Sequence, residues 1–316
     1  MIKKYKKGCR MWFLLLTTLA LITLTSGCAS LQGTLRDKPS HLSEHDKDTS
    51  KKSVELGDQA MASGDVNHAL YNYIKALNDN PNDMETLYKV ATIQDSQKNY
   101  DLAATAYRHI LEKIPHHAGA SQGFGLYLLR NKDLKDAKHF LQTAVHENPN
   151  LWHAQNGLGV IADLENHHDV AKQHYNTALR IMPNSPLLLN NLGYSMYLSG
   201  EWKKAQAQYE KAITISQHDI RAWSNLGLLF AREGHFEDSY LAFKKVMNDA
   251  DALHSVGYIC MVTGQFKQAE SYLMRAKHIS ASYLPGVDDD LTFVRTKLLQ
   301  SDSSKNLANA ELAQDK

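Results

Sequence analysis

The chain has 316 residues, 43% of them hydrophobic and 22% charged, ordinary globular usage that excludes wholesale disorder. Lys+Arg number 35 and Asp+Glu 34, a net charge of +1 that argues against a basic nucleic-acid footprint. The three cysteines, Cys9, Cys28 and Cys260, are too few for a disulfide framework or a four-thiolate zinc site.

The chain opens on Lys3, Lys4, Lys6, Lys7 and Arg10, followed by an uncharged stretch from Met11 to Leu24. That stretch is shorter than the roughly 20 apolar residues of a membrane-spanning helix and fits the apolar region of a secretory signal. Thr25-Ser26-Gly27-Cys28 then places small residues before a cysteine. This resembles the lipobox of bacterial lipoproteins, although Thr25 stands where that family commonly has Leu. The resemblance implies cleavage of residues 1–27 and acylation at Cys28, which becomes the lipidated N-terminus. Ala29, where Asp would favour inner-membrane retention, implies an anchor in the inner leaflet of the outer membrane with the body in the periplasm. Loss of residues 1–27 leaves 30 Lys+Arg against 34 Asp+Glu, a net of −4, so membrane affinity rests on the lipid. Residues 28–49 are polar and contain Gly33 and Pro39. They read as a tether whose flexible span is roughly 25 Å.

From residue 50 the sequence repeats. Gly57, Ala91, Gly125, Gly159, Gly193 and Gly227 are spaced by 34 residues, as are Ala69, Ala103, Ala137, Ala171 and Ala205, with Ser239 next in phase. Tyr73, Tyr107, Leu141, Tyr175, Tyr209 and Phe243 form a bulky column, and Ala76, Ile110, Ala144, Ala178, Ala212 and Val246 another. Pro81, Pro115, Pro149 and Pro183 close four of the units. A small residue on one helix lets a second approach closely, and proline ends the second because it cannot continue the hydrogen-bond ladder. This pattern resembles the tetratricopeptide repeat (TPR), a helix–turn–helix unit.

The expected fold is therefore all-α. The resemblance implies a right-handed superhelical solenoid of about seven TPR helix pairs: 50–83, 84–117, 118–151, 152–185, 186–219, 220–249 and 250–283. The sixth is short, since Gly227 and Gly257 are 30 residues apart. Leu291, Val294, Leu298 and Leu299 recur at helical spacing, so 284–300 reads as a linker and capping helix. Residues 301–316 are polar and read as a frayed tail.

In the TPR family the first helix of each unit lines a concave groove. Carried over by register, the candidates are Asn156 in the fourth unit and Asn190, Asn191, Tyr194 and Tyr197 in the fifth. The sixth supplies Arg221, Ser224, Asn225, Leu228 and Arg232, and the seventh His254 and Tyr258. Amides offer a donor and an acceptor to an extended peptide or a partner helix, and tyrosine gives contact area at low entropy cost. Asparagine in these positions can also serve helix packing alone.

No HExxH, GxSxG, P-loop or dinucleotide fingerprint occurs, and the 16 histidines read as surface or turn residues. No catalytic residue, metal site, cofactor or small-molecule substrate is expected. Cys260, among apolar neighbours, reads as a buried free thiol.

A lipobox followed by tandem TPRs resembles outer-membrane assembly lipoproteins of pilus systems. The run Ala252, Gly257, Tyr258, Gly264, Ala269, Tyr272, Ala276, Tyr283-Leu284-Pro285 is similar to the C-terminal part of the TadD lipoproteins of the Flp (tight adherence) pilus apparatus. The implied function is a scaffold whose protein partners are a secretin or other pilus assembly components. A pilotin of type IV pili and, remotely, the accessory region of an envelope enzyme are the alternatives.

Overall fold

The computed structural model describes residues 44–280 and 284–314, with side chains from 47 to 301. The signal segment, Cys28 and most of the tether lie outside the described residues. Those residues form fifteen helices and no strand. In chain order they are α1 (Glu44–Ala62), α2 (Val66–Asp79), α3 (Met84–Ser96), α4 (Tyr100–Lys113), α5 (Ala118–Arg130), α6 (Leu134–Glu147), α7 (Trp152–Leu164) and α8 (His168–Ile181). There follow α9 (Pro186–Leu198), α10 (Trp202–Ile215), α11 (Ile220–Glu233), α12 (Phe236–Phe243), α13 (Asp249–Val262), α14 (Phe266–Ile279) and α15 (Val287–Gln314). The chain divides into two compact units, up to Ala106 and from Tyr107 on, and the division falls inside α4.

Local chemistry sets the helix starts. Asp83 accepts from the backbone N–H groups of Glu85 and Thr86, Asp219 from that of Ala222, and Asn248 from that of Asp251. Ser185 caps α9 through the N–H of Leu188, with Pro186 at the first helical turn. Each of these offsets donors that the first turn leaves unpaired. The turn after each first helix holds one residue in the left-handed region: Gly64, Lys98, Lys132, Asn166, Gly200, Gly234 and Gly264. Three of these seven are not glycine, which is why only part of this column shows in the sequence.

In the first compact unit α1 lies against α2. Ser50 Oγ donates to the Ala76 carbonyl across 3.0 Å, and the Tyr73 hydroxyl donates to Asp58 across 2.7 Å. Lys89 also reaches Asp58 at 2.7 Å, and together these contacts hold the Asp58 carboxyl below its usual range, Lys89 contributing most. The helix begins at Glu44 rather than near residue 50, because no proline interrupts the stretch from Glu44 to Ala62.

In the second compact unit the glycine column does what its spacing implies. A Cβ on Gly125 would lie 2.8 Å from Leu141 Cγ, one on Gly159 2.6 Å from Tyr175 Cε1, and one on Gly193 2.7 Å from Tyr209 Cε1. The bulky side chain of the second helix thus rests on the glycine of its own unit. Ala137, Ala171, Ala205, Ala144, Ala178 and Ala212 are fully buried. Ser239, in the alanine column, donates its hydroxyl to the Gly227 carbonyl across 2.7 Å.

Two elements differ from the sequence reading. Helix α12 stops at Phe243, and Lys244 to Met247 form tight turns, so Val246 leaves the buried column. This absorbs the short sixth unit. Helix α15 runs on to Gln314, past residue 300 where a frayed tail was expected. Leu307, Ala308, Ala310, Glu311, Leu312 and Ala313 favour helix intrinsically.

Candidate functional site

The first helices α7, α9 and α11 share a face, and the candidate residues meet on it in an order the sequence did not disclose. Asn191 Nδ2 donates to Asn156 Oδ1 across 2.8 Å, and Asn225 Nδ2 donates to Asn190 Oδ1 across 2.8 Å. The four asparagines are two rungs joining neighbouring units, and Asn190 is buried. Each rung spans one period plus one residue, since position five of one unit meets position six of the next. The rungs fix the register of adjacent first helices, while Asn156, Asn191 and Asn225 remain half-buried.

Beside the rungs the tyrosines remain accessible. Tyr194 is 40% exposed, and its ring stacks on Tyr197 with centroids 6.1 Å apart and planes 17° from parallel. Ser224 and Leu228 are half-buried. Arg221 is exposed and turns back on Asp219 at 3.2 Å. Arg232 places its guanidinium 6.0 Å from the Trp202 ring centroid.

His254 and Tyr258, on the first helix of the seventh unit, are engaged by the last helix. His254 Nε2 lies 2.9 Å from Asp290 Oδ2 on α15. Tyr258 packs against the core cluster that Val287, Leu291 and Val294 of α15 complete. The last helix packs on the seventh unit beside these two residues.

Sequence reasoning also missed a polar cluster. Asp163 accepts from the Tyr175 hydroxyl at 3.0 Å and the Ser195 hydroxyl at 2.8 Å, and stands 2.9 Å from His168 Nδ1. Burial first, then the Asp163 charge, pushes the Tyr175 hydroxyl well above its usual range. His174 Nδ1 lies 2.8 Å from Gln155 Oε1, and burial lowers its pKa. These two half-buried histidines have internal partners, whereas His68, His116, His146 and His167 are exposed as expected.

Among the described residues no group of three His, Cys, Asp or Glu side chains could hold a metal, and no helix is long and apolar enough to cross a membrane. Cys260 is a fully buried free thiol that burial pushes up to about 12.

Paired helices in a fixed register, with their variable side chains gathered on the first helices, define a helical-repeat protein. Residues 123–186 match the tetratricopeptide-repeat family, and the described residues are all-helical, with helices paired as in a TPR solenoid. A TPR protein from Parabacteroides merdae has a similar fold, with a TM-score of 0.53 and 14% identity over 78% of this chain and 99% of that one. MamA from Desulfovibrio magneticus RS-1 is similar at a TM-score of 0.47 and 21% identity, covering 56% of this chain and 98% of that one. The general transcriptional corepressor ssn6 of Schizosaccharomyces pombe is 26% identical over 125 residues, 38% of this chain. That stretch spans only 11% of the corepressor's length.

Proposed function

We propose that the chain is a lipid-anchored scaffold that captures a protein partner on the first-helix face of its fourth to sixth units. The observation that carries the reading is the exposed Tyr194–Tyr197 stack, set beside amide rungs that hold its helix rigid. Stacked aromatics on a rigid element are efficient contact groups, because little side-chain freedom is lost on binding. The lipobox-like Thr25-Ser26-Gly27-Cys28 supports an anchor through Cys28 and an outer-membrane, periplasm-facing location. The resemblance to TadD lipoproteins supports a role in assembling the Flp pilus apparatus, with a secretin or another assembly component as partner.

The test is capture from envelope extract by wild type and by Tyr194→Ala with Tyr197→Ala. Loss of the captured proteins at unchanged melting temperature is expected, and equal capture refutes the face. Cys28→Ser is expected to remove the chain from the outer-membrane fraction, and unchanged fractionation refutes the anchor.

A further inference from the structure

The polar cluster of the fourth unit is rewritten one period later. Asp163, Tyr175, Ser195 and His168 are followed in phase by Tyr197, Tyr209, Leu229 and Trp202. Of the four groups only the tyrosine hydroxyl survives, and its acceptor is gone. Tyr209 is fully buried, and its hydroxyl has no hydrogen-bond partner among the described residues.

Two resolutions of the hydroxyl are seen elsewhere in this column. Leu141, Phe243 and, in the seventh unit, Leu273 omit it. Tyr73 and Tyr175 keep it and give it a carboxylate, Asp58 or Asp163. Tyr209 does neither, although a buried unpaired hydroxyl is a costly group to retain.

The surroundings limit what could meet it. Leu229 is fully buried in the same cluster as Tyr209, and Tyr197 packs against that cluster. Tyr194 and Tyr197 are both close enough to raise the Tyr209 pKa, after burial itself, so the hydroxyl stays a donor. The Arg232 guanidinium is engaged with Trp202, 6.0 Å from its ring centroid. A buried carboxylate would sit against Leu229 with no charge-assisted donor, a costly arrangement. A neutral carbonyl oxygen needs only one donor, and the aromatic walls suit an apolar side chain beside it.

We propose that the fifth unit holds a seat for a neutral amide carbonyl of a bound protein segment, which accepts from the Tyr209 hydroxyl when the Tyr194 and Tyr197 rings swing aside. The seat rests on the partner-binding reading and specifies its chemistry: an extended segment that presents a backbone amide next to an apolar or aromatic side chain. Rotation of partly exposed rings is fast, so opening needs no movement of the helices.

The probe is N-acetyl-phenylalaninamide, titrated into the full chain carrying tyrosine isotope-labelled at Cζ, with acetate as the charged control. The Tyr209 signal is assigned by its disappearance in Tyr209→Phe. A saturable shift with the amide and none with acetate is expected. Tyr197→Asp, which restores the acceptor that Asp163 gives Tyr175, should weaken the amide response about tenfold or more. Tyr209→Phe should melt no lower than wild type, whereas Tyr175→Phe should melt lower.

No amide shift, an equal shift with acetate, or a free-chain signal already at the hydrogen-bonded position of Tyr175 (a buried water only) overturns the seat. If the amide leaves Tyr209 untouched while capture still depends on Tyr194 and Tyr197, the seat falls and the partner-binding reading stands.

Discussion

Gly159→Ala isolates the contact on which each helix pair closes. Its new Cβ would lie 2.6 Å from Tyr175 Cε1 and 2.9 Å from both Cδ1 and Cζ. Carbon atoms prefer roughly 3.5–4.0 Å, so the ring must give way by roughly 1 Å. Tyr175 has little room to do so, being 2% exposed and tied through its hydroxyl to Asp163 at 3.0 Å. Overpacking of this kind costs about 1–3 kcal/mol, against a helix-propensity gain of about 1 kcal/mol for alanine. The net expectation is a loss of up to about 2 kcal/mol, or a melting temperature lower by up to roughly 8 °C. Thermal and urea unfolding of the full chain, followed by circular dichroism, measures it. Because repeat arrays can unfold in parts, the quantity to compare is the difference between paired variants. In a Tyr175→Ala background the three atoms nearest the new Cβ are gone, so the sign should reverse and Gly159→Ala should stabilise. Gly227→Ala, whose Cβ would sit 3.0–3.1 Å from Phe243 atoms, should cost less than Gly159→Ala. Equal costs in the two backgrounds, or a higher melting temperature for Gly159→Ala alone, would refute the close-approach account of the column.

Asn156→Ala and Asn191→Ala should each cost about 1 kcal/mol, and the double variant should cost less than their sum, since either change already breaks the rung; additive losses would show that the two amides are not coupled. Lys132→Gly should raise stability by up to ~1 kcal/mol, because Lys132 holds φ at 66° in the left-handed region; a lower urea midpoint would contradict it. Lys172 first, then Lys204, hold the Glu201 carboxyl down at about 2 against its usual 4.5. Such a group stabilises the fold above its unfolded pKa and loses that effect as pH falls toward the folded one. The melting-temperature advantage of wild type over Glu201→Gln should therefore be complete near neutrality and shrink between about 4.5 and about 2; an advantage that grows on acidification would reverse the assignment.

What was legible in the sequence was whatever repeats at the period itself. The glycine, alanine and aromatic columns mark the closing surface of each pair, and a packing surface tolerates few residue types. The left-handed position was half hidden, because Lys98, Lys132 and Asn166 adopt a conformation that glycine advertises. The asparagine rungs were hidden for a different reason. Asn156 with Asn191, and Asn190 with Asn225, lie one residue off the period, so reading by columns separates the two halves of each rung. The Asp163 cluster draws its members from three helices and from two units, and no single spacing carries it.

The end of the array follows the same geometry. His254 meets Asp290 across 36 residues, close to the offset of the asparagine rungs, so α15 occupies the place that the first helix of an eighth unit would take. Val287, Leu291 and Val294 are buried there, and Lys277–Asp288 and Arg295–Glu270 pairs at 2.5 and 2.7 Å flank them. A last repeat without such a cover would leave its apolar face in water. Cys260 reports on this, since it is fully buried in the same cluster and its thiol is pushed up to about 12 by burial. The thiolate is the nucleophile that attacks thiol reagents, so in the intact chain Cys260 should resist modification near neutral pH. Leu291→Asp with Val294→Asp places two unpaired charges under α15 and should lift it from the seventh unit. Mass spectrometry of the Cys260 peptide after a short pulse of a maleimide should then find it labelled, while the circular dichroism of the remaining array falls only by the contribution of α15. Labelling as slow as in wild type would mean that α15 is not what closes the core, and the seventh unit would have to seal itself.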